Sequence, residues 1–414
     1  MRNPSVPSPL GAEYNPLVSP HLEDPHPFYA RARREEPVFY SPVLGAWVVT
    51  RYEDVSAVLA APGRFSSVGS IDVGAEKLPP EVLQVLARGL PPLPSLVDND
   101  PPAHTRFRGL VSKAFNARRV AEKAPLVRTL AEELVDGFVS EGRADLFTRF
   151  AHPLPARVIA GIFGIPYEDI PLFQRWSDDL SAVFAAHGSV ESLVRCAHGV
   201  LDFQRYLSEA LDARTTSPRD DLLTDVVTAA RELDVPASRA ELVGMLTQTL
   251  FAGHETTAGL IAGAMELLLR NPEALGALQA DPGLLPGIFE EAARMTSPVT
   301  AMFRTTTEEV ELGGVSIPKG AHVRLVFASA NRDASRFPEP DRFDPRRDTS
   351  RRHLAFGQGI HFCIGAQLAR LETGIAVDVL TRRLPNLRLI PSPDPRMLRS
   401  VTIRRLGRLE VEWG

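Results

Sequence analysis

Apolar residues recur three and four apart through most of the chain, and the period drops to two in only a few short stretches. Residues 117–141, 154–163, 170–184 and 190–213 each carry such a stripe, which predicts four amphipathic helices. Residues 27–35, 54–61, 81–88, 284–295 and 366–380 predict five more. Residues 38–51 alternate around a Leu44-Gly45 turn, so a hairpin is expected there. Residues 310–327 read as strands joined at Gly313-Gly314 and Pro318-Lys319-Gly320, and residues 405–413 as a terminal strand. The longest helical candidate, residues 241–270, is apolar on every side and therefore buried. At roughly 45 Å it crosses most of a protein this size. The expected fold class is mainly α with small β-sheets (α+β), organised around that long central helix. Residues 1–15, rich in proline and polar side chains, are expected to form a loose arm.

Some residues break the pattern. Ala252-Gly253-His254-Glu255-Thr256-Thr257 lies in the middle of the buried helix. A glycine there costs about 0.5–1 kcal/mol relative to alanine, and a buried acid needs partners. Such violations of local rules mark functional positions. A second exception runs from Phe356 to Arg370. Gly357, Gly359 and Gly365 bracket Cys363, which sits where a loop becomes a helix. Exposed N–H groups and the helix dipole favour thiolate there, the form that ligates iron. Elsewhere His104 and Arg108, four apart just after Asp100-Pro101-Pro102, share a helix face able to hold a carboxylate. Glu291 and Arg294, three apart, can pair. Residues 66–96 form a long irregular stretch, the kind that carries function inside a compact fold, and residues 185–189 read as a hinge.

Composition changes this picture mainly by exclusion. A hydrophobic content of 44% and a charged content of 23% are ordinary for a soluble protein, and the net charge of -5 does not suit a nucleic-acid binder. The two cysteines, Cys196 and Cys363, are too far apart in sequence and context to form a disulfide framework. No signal peptide or membrane anchor is evident, so a cytoplasmic location is expected.

Phe-x-x-Gly-x-x-x-Cys-x-Gly from Phe356 to Gly365, with His361 two before the cysteine, resembles the haem-binding signature of the soluble bacterial cytochrome P450 family. It departs from the commonest pattern at Gln358 and Gln367, where His and Pro are more usual. The resemblance covers roughly residues 15–412 and implies a cytochrome P450-like fold, one haem-thiolate monooxygenase domain over residues 1–414. It implies haem b with Cys363 as the metal ligand, Phe356 shielding the sulfur and Gly365 admitting backbone N–H groups. His104, Arg108 and Arg304 match propionate contacts. Ala252 and Gly253 are implied to leave room for dioxygen, with Glu255 and Thr256 as the catalytic pair that delivers protons. Glu291, Arg294 and Arg342 match a structural brace for the haem loop. Phe251, Val299, Met302, Phe303 and Leu398 are the expected pocket residues.

The implied reaction inserts one atom of O2 into an apolar small molecule by hydroxylation or epoxidation, the substrate being a secondary metabolite, terpenoid, steroid or fatty acid. No Gly-x-Gly-x-x-Gly follows a strand, so electrons are expected from a ferredoxin and ferredoxin reductase. Arg351, Arg352, Arg106, Lys113, Arg118 and Arg119 are expected to serve docking, and the protein is expected to be a monomer. Two rival readings are a peroxide-driven peroxygenase and a non-enzymatic haem protein that binds a ligand; the retained Glu255-Thr256 pair argues against both.

Overall fold

Prolines and short capping side chains set where many of the helices begin, and apolar stripes decide which way each one faces. The computed structural model describes residues 8–71, 78–93, 96–186, 188–348, 352–391, 397–398 and 400–414. Helix α1 (Pro9–Glu13) is capped by the Ser8 hydroxyl, and Tyr14 after it is fully buried, its hydroxyl 3.0 Å from that of Tyr29. From residue 8 onward the expected loose arm is therefore fastened to the body, while residues 1–7 lie outside the described residues. Helix α2 (His26–Glu35) leads into the predicted hairpin of β1 (Val38–Ser41) and β2 (Ala46–Val49), whose turn places Gly45 at φ 61°. Next come α3 (Tyr52–Ala60), the short β3 (Phe65–Ser66), α4 (Pro80–Leu86) and α5 (Ala103–Ser112).

The single helix expected over residues 117–141 is instead divided into α6 (Ala117–Ala121) and α7 (Ala124–Asp136). Pro125 is the reason: it has no N–H to give and fits only the first turn of a new helix. After β4 (Arg143–Asp145) come α8 (Pro153–Phe163), α9 (Ile170–Ala185) and α10 (Val190–Thr216). Helix α11 (Leu222–Arg231) was not anticipated, although Asp221 caps it by accepting from the Thr224 N–H. Helix α12 (Arg239–Arg270) opens with a reciprocal Ser238–Glu241 capping box and continues through the Ala252–Thr257 motif without interruption. The unanticipated α13 (Pro272–Ala280) follows, and then α14 (Leu285–Thr296).

Strands β5 (Ala301–Thr306), β6 (Val310–Leu312), β7 (Val315–Ile317) and β8 (His322–Val326) precede α15 (Phe327–Ala330) and α16 (Ala366–Arg383). Of the terminal alternation only β10 (Glu410–Glu412) pairs as a strand, between β4 and β9 (Arg388–Leu389). The largest sheet has the order β1-β2-β8-β5-β3, with β2 and β8 parallel and the other pairs antiparallel. Around the central α12 pack α8, α10, α14 and α16, so the odd polar motif and the helix that follows Cys363 share one core. Among the described residues no helix is long and apolar enough to cross a membrane.

Candidate active site

The loop before α16 is shaped by two glycines in the left-handed region, Gly357 at φ 67° and Gly359 at φ 74°. A Cβ on Gly359 would lie 2.8 Å from the Leu59 carbonyl oxygen, so this position has room for no side chain. Gly365 is ordinary by comparison: its φ is -82°, and an added Cβ would sit 3.9 Å from the Cys363 sulfur. The Cys363 N–H donates to the Phe356 carbonyl at 2.9 Å, while the Phe356 ring stacks 6.0 Å from Phe289 under the guanidinium of Arg370. Gln358, one of the two departures from the commoner pattern, accepts from the Ser56 hydroxyl at 2.8 Å.

Cys363 is exposed. Protein crowded about its other sides pushes the thiol pKa up, against the N–H of Gly365, the charges of Arg108 and Arg370 and the N–H of Ala366. The expected preference for thiolate is thus not met by the helix terminus alone. A bound metal ion would reverse the balance, because a coordinating thiol is deprotonated outright.

Beside this loop the structure gathers basic side chains around one acid, Asp100. His104 is buried with no hydrogen-bond partner for either nitrogen, and its ring lies 4.3 Å from that of His361. His361 meets the Ser67 hydroxyl at 2.9 Å; burial, Arg304 and His104 hold its pKa down at about 3. Arg304 is buried, donates to the Phe303 carbonyl at 2.7 Å and makes no ion pair among the described residues. Burial lowers its pKa to about 10, with Asp100 opposing. Arg108 holds the cysteine loop by donating to the Phe362 carbonyl at 2.8 Å. An exposed thiol beside the unpartnered ring of His104 and an Arg304 that makes no ion pair among the described residues fits an iron porphyrin, which brings a metal and carboxylates.

On α12, Ala252 is exposed, and one turn later the half-buried Thr256 donates to the Ala252 carbonyl at 2.7 Å. Gly253 faces elsewhere. Its added Cβ would lie 3.1 Å from Ile159 of α8, so its small size lets two helices approach and does not open space for dioxygen. Glu255 is buried and accepts from the Arg405 Nε at 2.6 Å, while its second oxygen has no partner. Nothing in the local sequence around Arg405 signalled this contact.

His254 is also buried, 3.1 Å from the His152 carbonyl through Nε2 and 3.0 Å from the Ser177 hydroxyl through Nδ1. A carbonyl only accepts, so Nε2 carries the proton and Nδ1 accepts. His152, His254 and Glu255 bring ligand-type atoms within 4.8 Å of one another, yet both His254 nitrogens are already engaged. Burial keeps that imidazole neutral, with a pKa of about 4.

Comparison with known proteins decides the family. The family model described as Cytochrome P450 matches residues 283–400. Cytochrome P450 107B1 of Saccharopolyspora erythraea is 41% identical over 397 residues, 95% of this chain and 96% of its own. The chain belongs to the cytochrome P450 family. Cytochrome P450 monooxygenase PikC of Streptomyces venezuelae is 39% identical, with 98% of this chain and 95% of its own covered. The solved structure of cytochrome P450 CREJ in complex with (4-ethylphenyl) dihydrogen phosphate superposes with a TM-score of 0.91 at 30% identity, over 98% of this chain and 100% of that one. The fold is accordingly the P450 fold, the protein is an oxidoreductase of the monooxygenase class, and its cofactor is a haem.

In this P450 the brace differs from expectation in one member. Glu291 and Arg294 form a fully buried two-pronged pair with both contacts at 2.7 Å. The arginine that completes it is Arg347, whose Nε donates to Glu291 at 3.0 Å; Arg342 points outward to Glu339 and Asp344. Among the pocket residues, strand alternation puts Met302 and Arg304 on one face of β5 and the wholly buried Phe303 on the other. Phe303 is therefore a core residue. Phe251 lies 5.7 Å from Phe184 of α9, ring to ring; Val299 bridges Ile403; and Leu398 lines a small cavity of about 20 Å³ with Thr300 and Ile403.

The irregular stretch is fastened to α10: Val82 and Val85 pack on Leu193 and Ala197, and the Leu90 N–H donates to Gln204 at 2.9 Å. Residues 72–77 and 94–95 of it lie outside the described residues. The expected docking patch is largely committed internally: Arg106 pairs with Glu241, Arg118 with Glu122, and Arg119 with Asp220 and Asp225. Lys113 and Arg352 are exposed, and Arg351 lies outside the described residues.

Proposed function

We propose that this P450 binds haem b and hydroxylates or epoxidises a bulky apolar small molecule of macrolactone or sterol type, with electrons from a separate ferredoxin. The observation that carries the reading is the α12 pair: a half-open Thr256 with its hydroxyl on the Ala252 carbonyl, and a buried Glu255 held by Arg405. Bound through Cys363, the haem iron supplies dioxygen activation, and thiolate ligation favours O–O cleavage. His104, Arg304 and His361 orient the cofactor's carboxylates, and Arg108 steadies the ligand loop. Phe251, Val299, Met302 and Leu398 present apolar surface to substrate. Thr256 hands a proton across the open face of α12 and is replenished from Glu255, general acid chemistry that an adjacent hydroxyl and carboxyl suit.

The substrate class is supported by the relatives' names. They include a 6-deoxyerythronolide B hydroxylase, a mycinamicin IV hydroxylase/epoxidase, a vitamin D(3) 25-hydroxylase and a steroid C26-monooxygenase, at 36–38% identity. Among the described residues of the expected patch, Lys113 and Arg352 are exposed without an ion pair, which suits docking of an acidic ferredoxin.

A ferric spin-state screen of macrolactones, sterols and fatty acids tests the substrate class: macrolactones or sterols should shift the spectrum, and a response to fatty acids alone would overturn it. Thr256→Ala should lower product per electron about tenfold and divert electrons to peroxide. An unchanged yield would remove the assigned role. Turnover with peroxide but never with reduced ferredoxin would favour the peroxygenase reading.

A further inference from the structure

Glu255 is 1% exposed, and Arg405 is the only cation that hydrogen-bonds it among the described residues. The seat for Arg405 is built. A Cβ on Gly259, one turn beyond Glu255, would lie 2.9 Å from the Arg405 Cβ, and the guanidinium lies 4.7 Å from the centre of the Phe147 ring. The backbone carrying Arg405 is fixed independently of its charge. The Leu398 N–H donates to the Arg405 carbonyl at 3.1 Å, the Arg404 N–H to Pro298 at 2.8 Å and the Thr300 N–H to Thr402 at 2.8 Å. A backbone hydrogen bond thus joins Leu398, expected in the pocket, to Arg405.

One carboxylate oxygen of Glu255 is held by Arg405, and the other is buried without a partner. An unsatisfied buried acceptor is costly and is kept where it has a use. We propose that Arg405 is the positioning residue of the proton path: it fixes one oxygen of Glu255 so that the second stays free to take up and pass on a proton. This rests on the reading of Glu255 as a proton carrier. Because these backbone contacts do not use the guanidinium, loss of its charge should act on the acid and leave substrate affinity in place.

The test measures product per electron, with affinity from spin-state titration, using the compound that gives the largest shift in the screen above. Arg405→Gln should lower coupling about tenfold, as loss of the acid itself would, and leave affinity within about threefold. Arg405→Lys, which keeps the charge but loses the planar fork, should recover most of the coupling. The double variant Glu255→Gln with Arg405→Gln leaves no charge buried alone, so it folds even where Arg405→Gln does not. Its coupling should equal that of Glu255→Gln.

A double variant markedly worse than Glu255→Gln would overturn the proposal, because Arg405 would then act elsewhere. Affinity and coupling falling together in Arg405→Gln would make Arg405 merely structural. Normal coupling in Arg405→Gln beside a defect in Glu255→Gln would sink the proposal and spare the reading of Glu255. Normal coupling in both would sink the two together.

Discussion

Two buried arginines sit in opposite electrostatic conditions. Arg294 has every prong satisfied: Nε and one terminal nitrogen on Glu291 at 2.7 Å, and the other on the Asn331 and Pro340 carbonyls at 2.8 Å. Arg304 donates to one neighbouring carbonyl and makes no ion pair among the described residues; burial depresses its pKa to about 10, with the charge of Asp100 opposing. The first region is closed on itself, with Arg347 added to the same Glu291. The second leaves His104 unpartnered and Cys363 exposed. Charges that are fully paired serve the fold, whereas charges left wanting anions serve a group that brings them.

Removing Glu291 is the strongest way to test that contrast. Glu291→Ala strands Arg294 and Arg347 in the interior and should destabilise the protein by about 3–5 kcal/mol in urea unfolding. A loss under 1 kcal/mol would contradict a brace role. The opposite sign is expected across the comparison: Arg304→Leu should stabilise the haem-free protein by about 1–3 kcal/mol, since it relieves a buried unpaired charge, while weakening haem retention. If Arg304→Leu destabilised the haem-free protein as Glu291→Ala does, the distinction would collapse.

Glycines give a smaller version of the contrast. Gly359→Ala meets the Leu59 carbonyl and a left-handed φ, and should cost about 1–2 kcal/mol in thermal or urea unfolding. Gly365→Ala should cost less than about 0.5 kcal/mol. Glu290 affords the mildest test. Burial disfavours its charge, but hydrogen bonds from His353 and Arg370 outweigh that and hold its pKa at about 2 against a usual 4.5. Its contribution is therefore present above pH 4.5 and lost as pH falls toward 2. Thermal melts of Glu290→Gln should show a shallower acid-side decline than the wild type over that window, and parallel curves would refute the assignment.

Much of the fold was legible because it is written in local periods. The central helix is expected over residues 241–270 and observed over Arg239–Arg270, and α9 and α10 begin where their stripes do. The division at Pro125 was written in the sequence too, as a residue that opens helices; so was the Asp221 cap of α11. What escaped is set by tertiary distance. Arg342 and Arg347 lie in the same aperiodic loop, and only the folded chain selects which one reaches Glu291. Arg405 meets Glu255 from a segment remote in sequence, for which no spacing rule exists. Phe303 and Arg304, on opposite faces of β5, are both buried, so alternation alone does not say which of the two faces the pocket.

The central claim is that Cys363 ligates a haem iron as thiolate. The absorption spectrum of the purified protein, reduced with dithionite under carbon monoxide, tests it beside Cys363→Ala. A strongly red-shifted Soret band in the wild type that disappears in the variant is the predicted result. No haem, or a band like that of a histidine-ligated protein, would contradict it.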